Sequence, residues 1–286
     1  MAKPKKKPLQ NPLEITIFAR QKTHDMTTYS HTYSITAADM DKDYRLMPSA
    51  VVLSVQDAWA RMMSTLGMAA FDLIKENKIW IITDFNAHFE PVETFWSEEV
   101  ETTVWNSETS PLRIYSDFRI TKAGTGQLIA QGYACWSILD ADTKRLARTD
   151  AMQQSLPLVE DLALGPHKKL RFPATGDLLK QADHHTNSLD LDFNGHVNNR
   201  SYLNIALLTV PDTFLSHNAP AHLSIHWLHE TFENETLRCL LFAVPDTQGA
   251  FLHRIEKEDG TPAVEIYSEW RPATHYTPVA ETLHRT

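Results

Sequence analysis

Only two cysteines, Cys135 and Cys239, occur in 286 residues. Both stand in apolar, strand-like surroundings, and a chain this long buries enough surface to fold without a disulfide. The thiols are expected to be free, and the expected compartment is the reducing cytoplasm. Positive charge is in deficit, because 27 Lys and Arg face 36 Asp and Glu for a formal charge of −9. Affinity for nucleic acid comes from clustered cations, so a general polyanion-binding surface is disfavoured and an acidic partner would need a local basic patch. No apolar run approaches the roughly 20 residues of a membrane span. The N-terminal MAKPKKKPLQ is basic with no apolar segment behind it, and it reads as a solvated tail outside the fold. A Gly-x-Ser-x-Gly elbow is also missing. Neither cysteine sits beside a histidine in a polar setting, which leaves a serine or cysteine nucleophile unsupported.

What is present is the composition of a globular protein with sizeable cores, 42% hydrophobic and 22% charged. Strand-like stretches at Glu14 to Phe18 and Thr32 to Thr36 precede a helix opened by Pro48 and Ser49. In it Val52, Val55, Trp59, Met62, Met63, Leu66, Met68 and Phe71 recur at roughly helical spacing. Strand signals follow at Ile79 to Phe85, Val100 to Trp105, Leu112 to Ile120 and Leu128 to Leu139, the last two joined by the turn Ala123-Gly124-Thr125-Gly126. A long helix followed by an antiparallel sheet is an α+β arrangement. The second half repeats the order: a helix through Tyr202, Leu203, Ile205, Ala206 and Leu208, then strands at Leu223 to Leu228, Thr236 to Val244, Phe251 to Ile255 and Val264 to Trp270. The expected organisation is a tail (1–10), a first domain (11–140), a crossover (141–173) and a second domain (174–286).

A local repeat supports duplication. Glu93-Thr94-Phe95-Trp96-Ser97-Glu98-Glu99-Val100 parallels Glu230-Thr231-Phe232-Glu233-Asn234-Glu235-Thr236-Leu237 at the same place in each half. The densest polar cluster, Asp190 to Asn199, lies in the loop entering the second helix. Part of it suits capping, since Asn198 or Asn199 could satisfy the helix start. Capping requires neither a histidine nor two acids among the amides. A carboxylate, an amide and an imidazole beside helix N–H groups are the parts that thioester hydrolysis needs, because they orient water, move protons and hold an oxyanion. His184 and His185 cannot easily share an ion with His196, and no cysteine cluster accompanies them, so no metal is expected.

The run Leu191-Asp192-Phe193-Asn194-Gly195-His196-Val197-Asn198-Asn199 resembles the Leu-Asp-x-Asn-x-His-Val-Asn-Asn motif of plant and bacterial acyl-acyl-carrier-protein thioesterases. Gln56-Asp57-Ala58, Trp80 to Thr83, Trp105, Trp136 and Glu269-Trp270-Arg271 resemble further landmarks of that family. The resemblance implies two tandem hot-dog domains, each a long helix wrapped by an antiparallel sheet. It implies a catalytic Asp192, Asn194, His196 and Glu230, hydrolysis of fatty acyl-acyl carrier protein, and no cofactor. Thr231 stands where plant members carry a Cys, so thiol chemistry is not expected there. The implied partner is an acyl carrier protein with its fatty acyl-phosphopantetheine arm, and the sequence leaves room for a homodimer. Two basic clusters, Lys144, Arg145 and Arg148 and then Lys168, Lys169 and Arg171, are the candidate docking patches. Trp59, Met62, Met63 and Met68 are expected to line the acyl pocket, with Asn198 and Asn199 also at the substrate. Water would be activated by Glu230 or Asp192. The first half lacks an Asn-x-His entry to its helix, so its Glu93 should be catalytically silent. An acyl-CoA thioesterase of the same fold, or a non-catalytic acyl-binding protein, is the alternative reading.

Overall fold

The computed structural model describes residues 27–273. The strand expected at Glu14 to Phe18 and the basic tail lie outside them. Strand β1 (Thr28–Ser34) leads to helix α1 (Pro48–Thr65), the short α2 (Ala70–Leu73), and strands β2 (Lys78–Phe89), β3 (Glu99–Ser110), β4 (Arg113–Lys122), β5 (Leu128–Asp140) and β6 (Leu146–Ala147). After α3 (Asp150–Gln153) come β7 (Leu178–His185), α4 (Asn199–Leu207), α5 (Asp212–Leu215), β8 (Asn218–Trp227), β9 (Thr236–Ala243), β10 (Ala250–Lys257) and β11 (Pro262–Pro272).

The strands form one antiparallel sheet in the order β1-β3-β4-β5-β2-β8-β11-β10-β9-β7, with β6 on β5. The first five strands and the last five carry the same connectivity run in opposite directions. The duplicated halves therefore meet through equivalent strands, β2 and β8, registered from Asp84↔His226 to His88↔His222. Each half contributes a helix to one face of this sheet, which is the double hot-dog α+β architecture. No helix among the described residues is long and apolar enough to cross a membrane.

Helix α1 forms because Val51, Val52, Val55, Ala58, Trp59, Met62 and Met63 recur every three to four residues and bury one stripe. Pro48 opens it at a position where no N–H is needed. It stops sooner than the spacing predicts: Gly67 adopts φ +73, a left-handed terminator. Met68 and Phe71 therefore leave the helix, and Phe71 becomes 71% exposed on α2. Trp59 is stacked on Trp136 at 3.8 Å and meets the edge of Trp80 at 5.0 Å. Its indole N–H is satisfied by Asn106 Oδ1 at 3.1 Å. Gly132 is required where β5 passes β2, since a Cβ there would lie 1.9 Å from the Asn86 carbonyl oxygen.

The expected strand at Thr32 to Thr36 starts earlier and ends earlier. Strand β7 gave no sequence signal, because it is an edge strand exposed over most of its length and so carries no apolar alternation. The segment after α3 crosses the outer face of the sheet as a strap. The Trp105 indole donates to the Asp161 carbonyl (2.7 Å), Arg119 pairs with Asp161, and Tyr133 donates to the Lys168 carbonyl (3.2 Å). His167 is clasped between Glu108 (3.0 Å) and Asp117 (2.8 Å) with its ring stacked on Tyr115. Farther along, Phe172 packs with Leu252 and Val244 of the second half.

Candidate active site

The polar loop before α4 is built by its own side chains. A bridge pairs Leu191 with Val197, and inside it the Asp192 N–H donates to the His196 carbonyl at 2.8 Å. Gly195 takes φ +79, a backbone that glycine adopts without a Cβ penalty. Asp192 Oδ1 accepts the N–H groups of Asn194 (2.8 Å) and His196 (3.4 Å), and its Oδ2 accepts the Asn194 amide at 3.4 Å. Asp190 anchors the loop's other side, taking His184 Nε2 at 3.0 Å and the Asn187 N–H at 2.9 Å.

Glu230 follows β8. Its neighbour Thr231 is buried and fixes the approach twice: its carbonyl accepts the Val197 N–H (2.9 Å), and its hydroxyl shares a hydrogen bond with Tyr202 (2.6 Å). The Thr231 hydroxyl is thus already engaged. The result is a contact of 2.9 Å between Glu230 Oε2 and His196 Nε2, with side chains 34% and 25% exposed, open enough for water to reach. The His196 ring meets the edge of Phe232 at 5.1 Å. The other oxygen, Glu230 Oε1, lies 3.2 Å from Lys144 Nζ, which arrives from the first half.

Of the four residues expected to act, the fold brings His196 and Glu230 together, while Asp192 and Asn194 pair with each other. Asp192 has its oxygens taken up by the loop. Asn198, expected at the substrate, instead caps α4, its side-chain oxygen accepting the Arg200 N–H at 2.9 Å. The N–H groups of Ser201 and Tyr202 go to the Asn198 carbonyl, so these helix-start groups are not available to an oxyanion. Asn199 donates to Gln56 Oε1 on α1 at 3.0 Å and ties the two helices together. Trp59, Met62 and Met63 retain 2%, 1% and 1% exposure, so they lie in the core of the first half. Met68 is half-buried beside that core, and its carbonyl accepts the Trp80 indole N–H at 2.9 Å. Burial pushes the Cys135 thiol up to about 11 and the Cys239 thiol up to about 12, which keeps both protonated and poor nucleophiles.

Lys144 faces Glu230, Arg148 is paired with Asp150, and Lys169 and Arg171 line a cleft on the outer face with His226 and Arg254. The sequence singles out Lys144 only for docking; its place beside Glu230 is not legible there, because its partner is far away in the chain.

The first half carries a replica of the loop with other side chains. Met40 bridges Leu46, the Asp41 N–H donates to the Arg45 carbonyl (2.8 Å), Asp41 Oδ1 accepts the N–H groups of Asp43 and Arg45, and Tyr44 takes the left-handed φ of 60°. Arg45 occupies the place of His196 and Asp43 that of Asn194. The Glu98–Lys122 pair (2.9 Å) beneath Phe95 likewise matches Glu235–Lys257 (3.3 Å) beneath Phe232.

Residues 26–152 match the family model described as acyl-ACP thioesterase N-terminal domain, and residues 177–272 match that of the C-terminal domain. A chloroplastic acyl-[acyl-carrier-protein] hydrolase of Cuphea viscosissima is 24% identical over 85% of this chain and 61% of its own length. A chloroplastic dodecanoyl-[acyl-carrier-protein] hydrolase of Umbellularia californica is 21% identical over 85% and 68%. The chain thus spans about three fifths of the first relative. Among solved structures, the 12:0-ACP thioesterase from Umbellularia californica superposes with a TM-score of 0.75 at 19% identity, covering 86% of this chain and 98% of that one. An acyl-ACP thioesterase from Bacteroides thetaiotaomicron gives 0.75 at 15% identity, over 86% and 98%.

Proposed function

Because the chain belongs to the acyl-ACP thioesterase family, we propose that it hydrolyses the thioester of a fatty acyl-acyl carrier protein, releasing a free fatty acid and the carrier's thiol. The observation that carries this reading is the Glu230–His196 contact of 2.9 Å in the second half. Glu230 takes a proton from water as the water oxygen attacks the thioester carbonyl carbon. The carbon–sulfur bond then breaks, the sulfur leaves as thiolate, and it recovers the proton that Glu230 accepted. His196 orients the carboxylate through Oε2, and the loop braced by Asp192 holds His196. Asp192 serves as a brace: its oxygens hold three donors of its own loop, and the replica loop keeps the same aspartate, Asp41, in the same bracing role.

The reaction needs no cofactor, and two buried, unpaired cysteines suit a reducing compartment such as the cytoplasm. Release of free thiol from an acyl carrier protein substrate, followed with a thiol reagent alongside the matching acyl-CoA, tests the reading. Turnover of acyl carrier protein at a kcat/KM at least about tenfold above acyl-CoA is expected. Equal or better turnover of acyl-CoA would make the carrier assignment wrong, and binding without thiol release would leave an acyl-binding protein.

A further inference from the structure

We propose that Lys144 is a positioning residue for the active site, a cation supplied by the first half that clamps the catalytic carboxylate Glu230 of the second half. The inference rests on the reading of Glu230 as the base. Lys144 Nζ lies 3.2 Å from Glu230 Oε1 while His196 Nε2 lies 2.9 Å from Oε2. Both carboxylate oxygens are thus engaged, and the group is fixed in one rotation between two cationic or donor partners.

An exposed ion pair by itself carries little weight, but the backbone beneath this one is built for it. The turn from β5 to β6 is closed by Asp140 N–H to the Arg145 carbonyl and Lys144 N–H to the Asp140 carbonyl, both 2.9 Å. Asp140 Oδ1 accepts both the N–H and the hydroxyl of Thr143. The turn is pinned to the start of β2 by Ala141 N–H to the Asn77 carbonyl (2.8 Å) and by the Asn77 amide to Asp142 (2.8 Å). In this turn Lys144 takes φ 55°, a left-handed backbone where Gly or Asn is the ordinary occupant and lysine is uncommon. Among the described residues the second half has no such turn, for β11 is its last strand. The hairpin belongs to the first half, and it reaches the acid of the second.

The test replaces Lys144 by Met, Arg and Asn in the full chain and combines Lys144→Met with Glu230→Gln. On an acyl carrier protein substrate, Lys144→Met is expected to lower kcat about tenfold while KM moves less than about twofold, and Lys144→Arg to recover most of it. Lys144→Asn suits the backbone, so it should keep or raise the melting temperature while losing the same turnover. In the Glu230→Gln background Lys144→Met should add almost no further loss, because its target is gone. An unchanged kcat in Lys144→Met, a change in KM alone, or a fully additive loss on Glu230→Gln would each overturn the proposal. A readout that needs no turnover is the side-chain 15N signal of Lys144, which should shift in Glu230→Gln; an unmoved signal overturns the clamp. If the wild type released no thiol from any acyl thioester yet this signal shifted, the hydrolase reading would fail and the clamp would stand.

Discussion

The loops 40–48 and 191–199 fold alike, each closed by a bridge, braced by an aspartate that accepts two loop N–H groups, and turned by a left-handed residue before its helix. In the second loop the side chain after the turn is His196, which meets Glu230. In the first it is Arg45, which reaches away to the carbonyls of Leu215 (2.6 Å) and Asn218 (2.8 Å) in the other half. One copy presents an imidazole–carboxylate pair and the other a tether between halves. Backbone geometry therefore does not make the site; a single side chain facing an acid does. Glu93, the repeat partner of Glu230, shares its cleft with Arg45 and has no imidazole in the corresponding place.

The sharpest way to break this comparison is to neutralise the two glutamates. Glu230→Gln is expected to lower kcat by about 10²–10⁴-fold, the usual worth of a positioned general base, with little change in melting temperature, whereas Glu93→Gln should stay within about threefold of wild type. Steady-state thiol release with parallel melting curves decides it, and equal losses in the two variants would end the asymmetry.

Next in size is the core. Trp59→Ala removes a ring stacked at 3.8 Å on Trp136 and 2% exposed, and should destabilise the fold by about 3–5 kcal/mol in a denaturant titration. A small stability loss with a marked change in acyl-chain preference would instead show that Trp59 borders an acyl pocket.

Arg45→Met removes the guanidinium donor from the carbonyls of Leu215 and Asn218 and from the carboxylates of Asp41 and Asp43. The expected cost is about 1–3 kcal/mol of stability, with kcat within about threefold of wild type. A large fall in turnover at unchanged stability would mean that the first loop is no mere tether.

The smallest effects separate the halves by pH. Burial lowers the affinity of His167 for a proton, but the hydrogen bonds to Asp117 and Glu108 outweigh it and raise its pKa above the ordinary 6.5. The folded state therefore binds the proton more tightly. This contribution is complete below about 6.5 and is lost as pH rises through the raised folded value. His253 in the second half is the reverse case, since burial lowers it to about 4. The unfolded chain binds its proton first, so stability falls as pH drops from about 6.5 towards 4. His167→Gln should flatten the alkaline side of a plot of melting temperature against pH, and His253→Gln the acidic side. If both variants changed the same limb, these assignments would be wrong.

Much of the fold could be read before any coordinates. The helical stripe from Val52 to Met63, the turn at 123–126 and the repeat at 93–100 and 230–237 each reflect a local periodicity or turn chemistry that survives in the structure. Strand β7 did not announce itself, because an exposed edge strand needs no apolar alternation. Met68 and Phe71 kept the helical spacing by coincidence, and one glycine with positive φ overruled it. At the site, the loop was legible because capping alone does not need its acids, amides and histidine. The use of Asn198 as a cap was visible as an option in the sequence but was chosen only by the fold.

The sequence by itself determined what is local: two copies of one α+β unit, a polar loop before the second helix, an acid after the following strand, and two thiols in apolar surroundings. Tertiary structure alone decided which of these groups meet. Lys144 reaches Glu230 across the seam between the halves, Asn199 meets Gln56 between two helices, and Trp59 disappears against Trp136. The physical reason is that hydrogen-bonded turns and hydrophobic periodicity act between residues a few positions apart. An ion pair or a ring stack between distant residues exists only once the strands have registered within and between the halves.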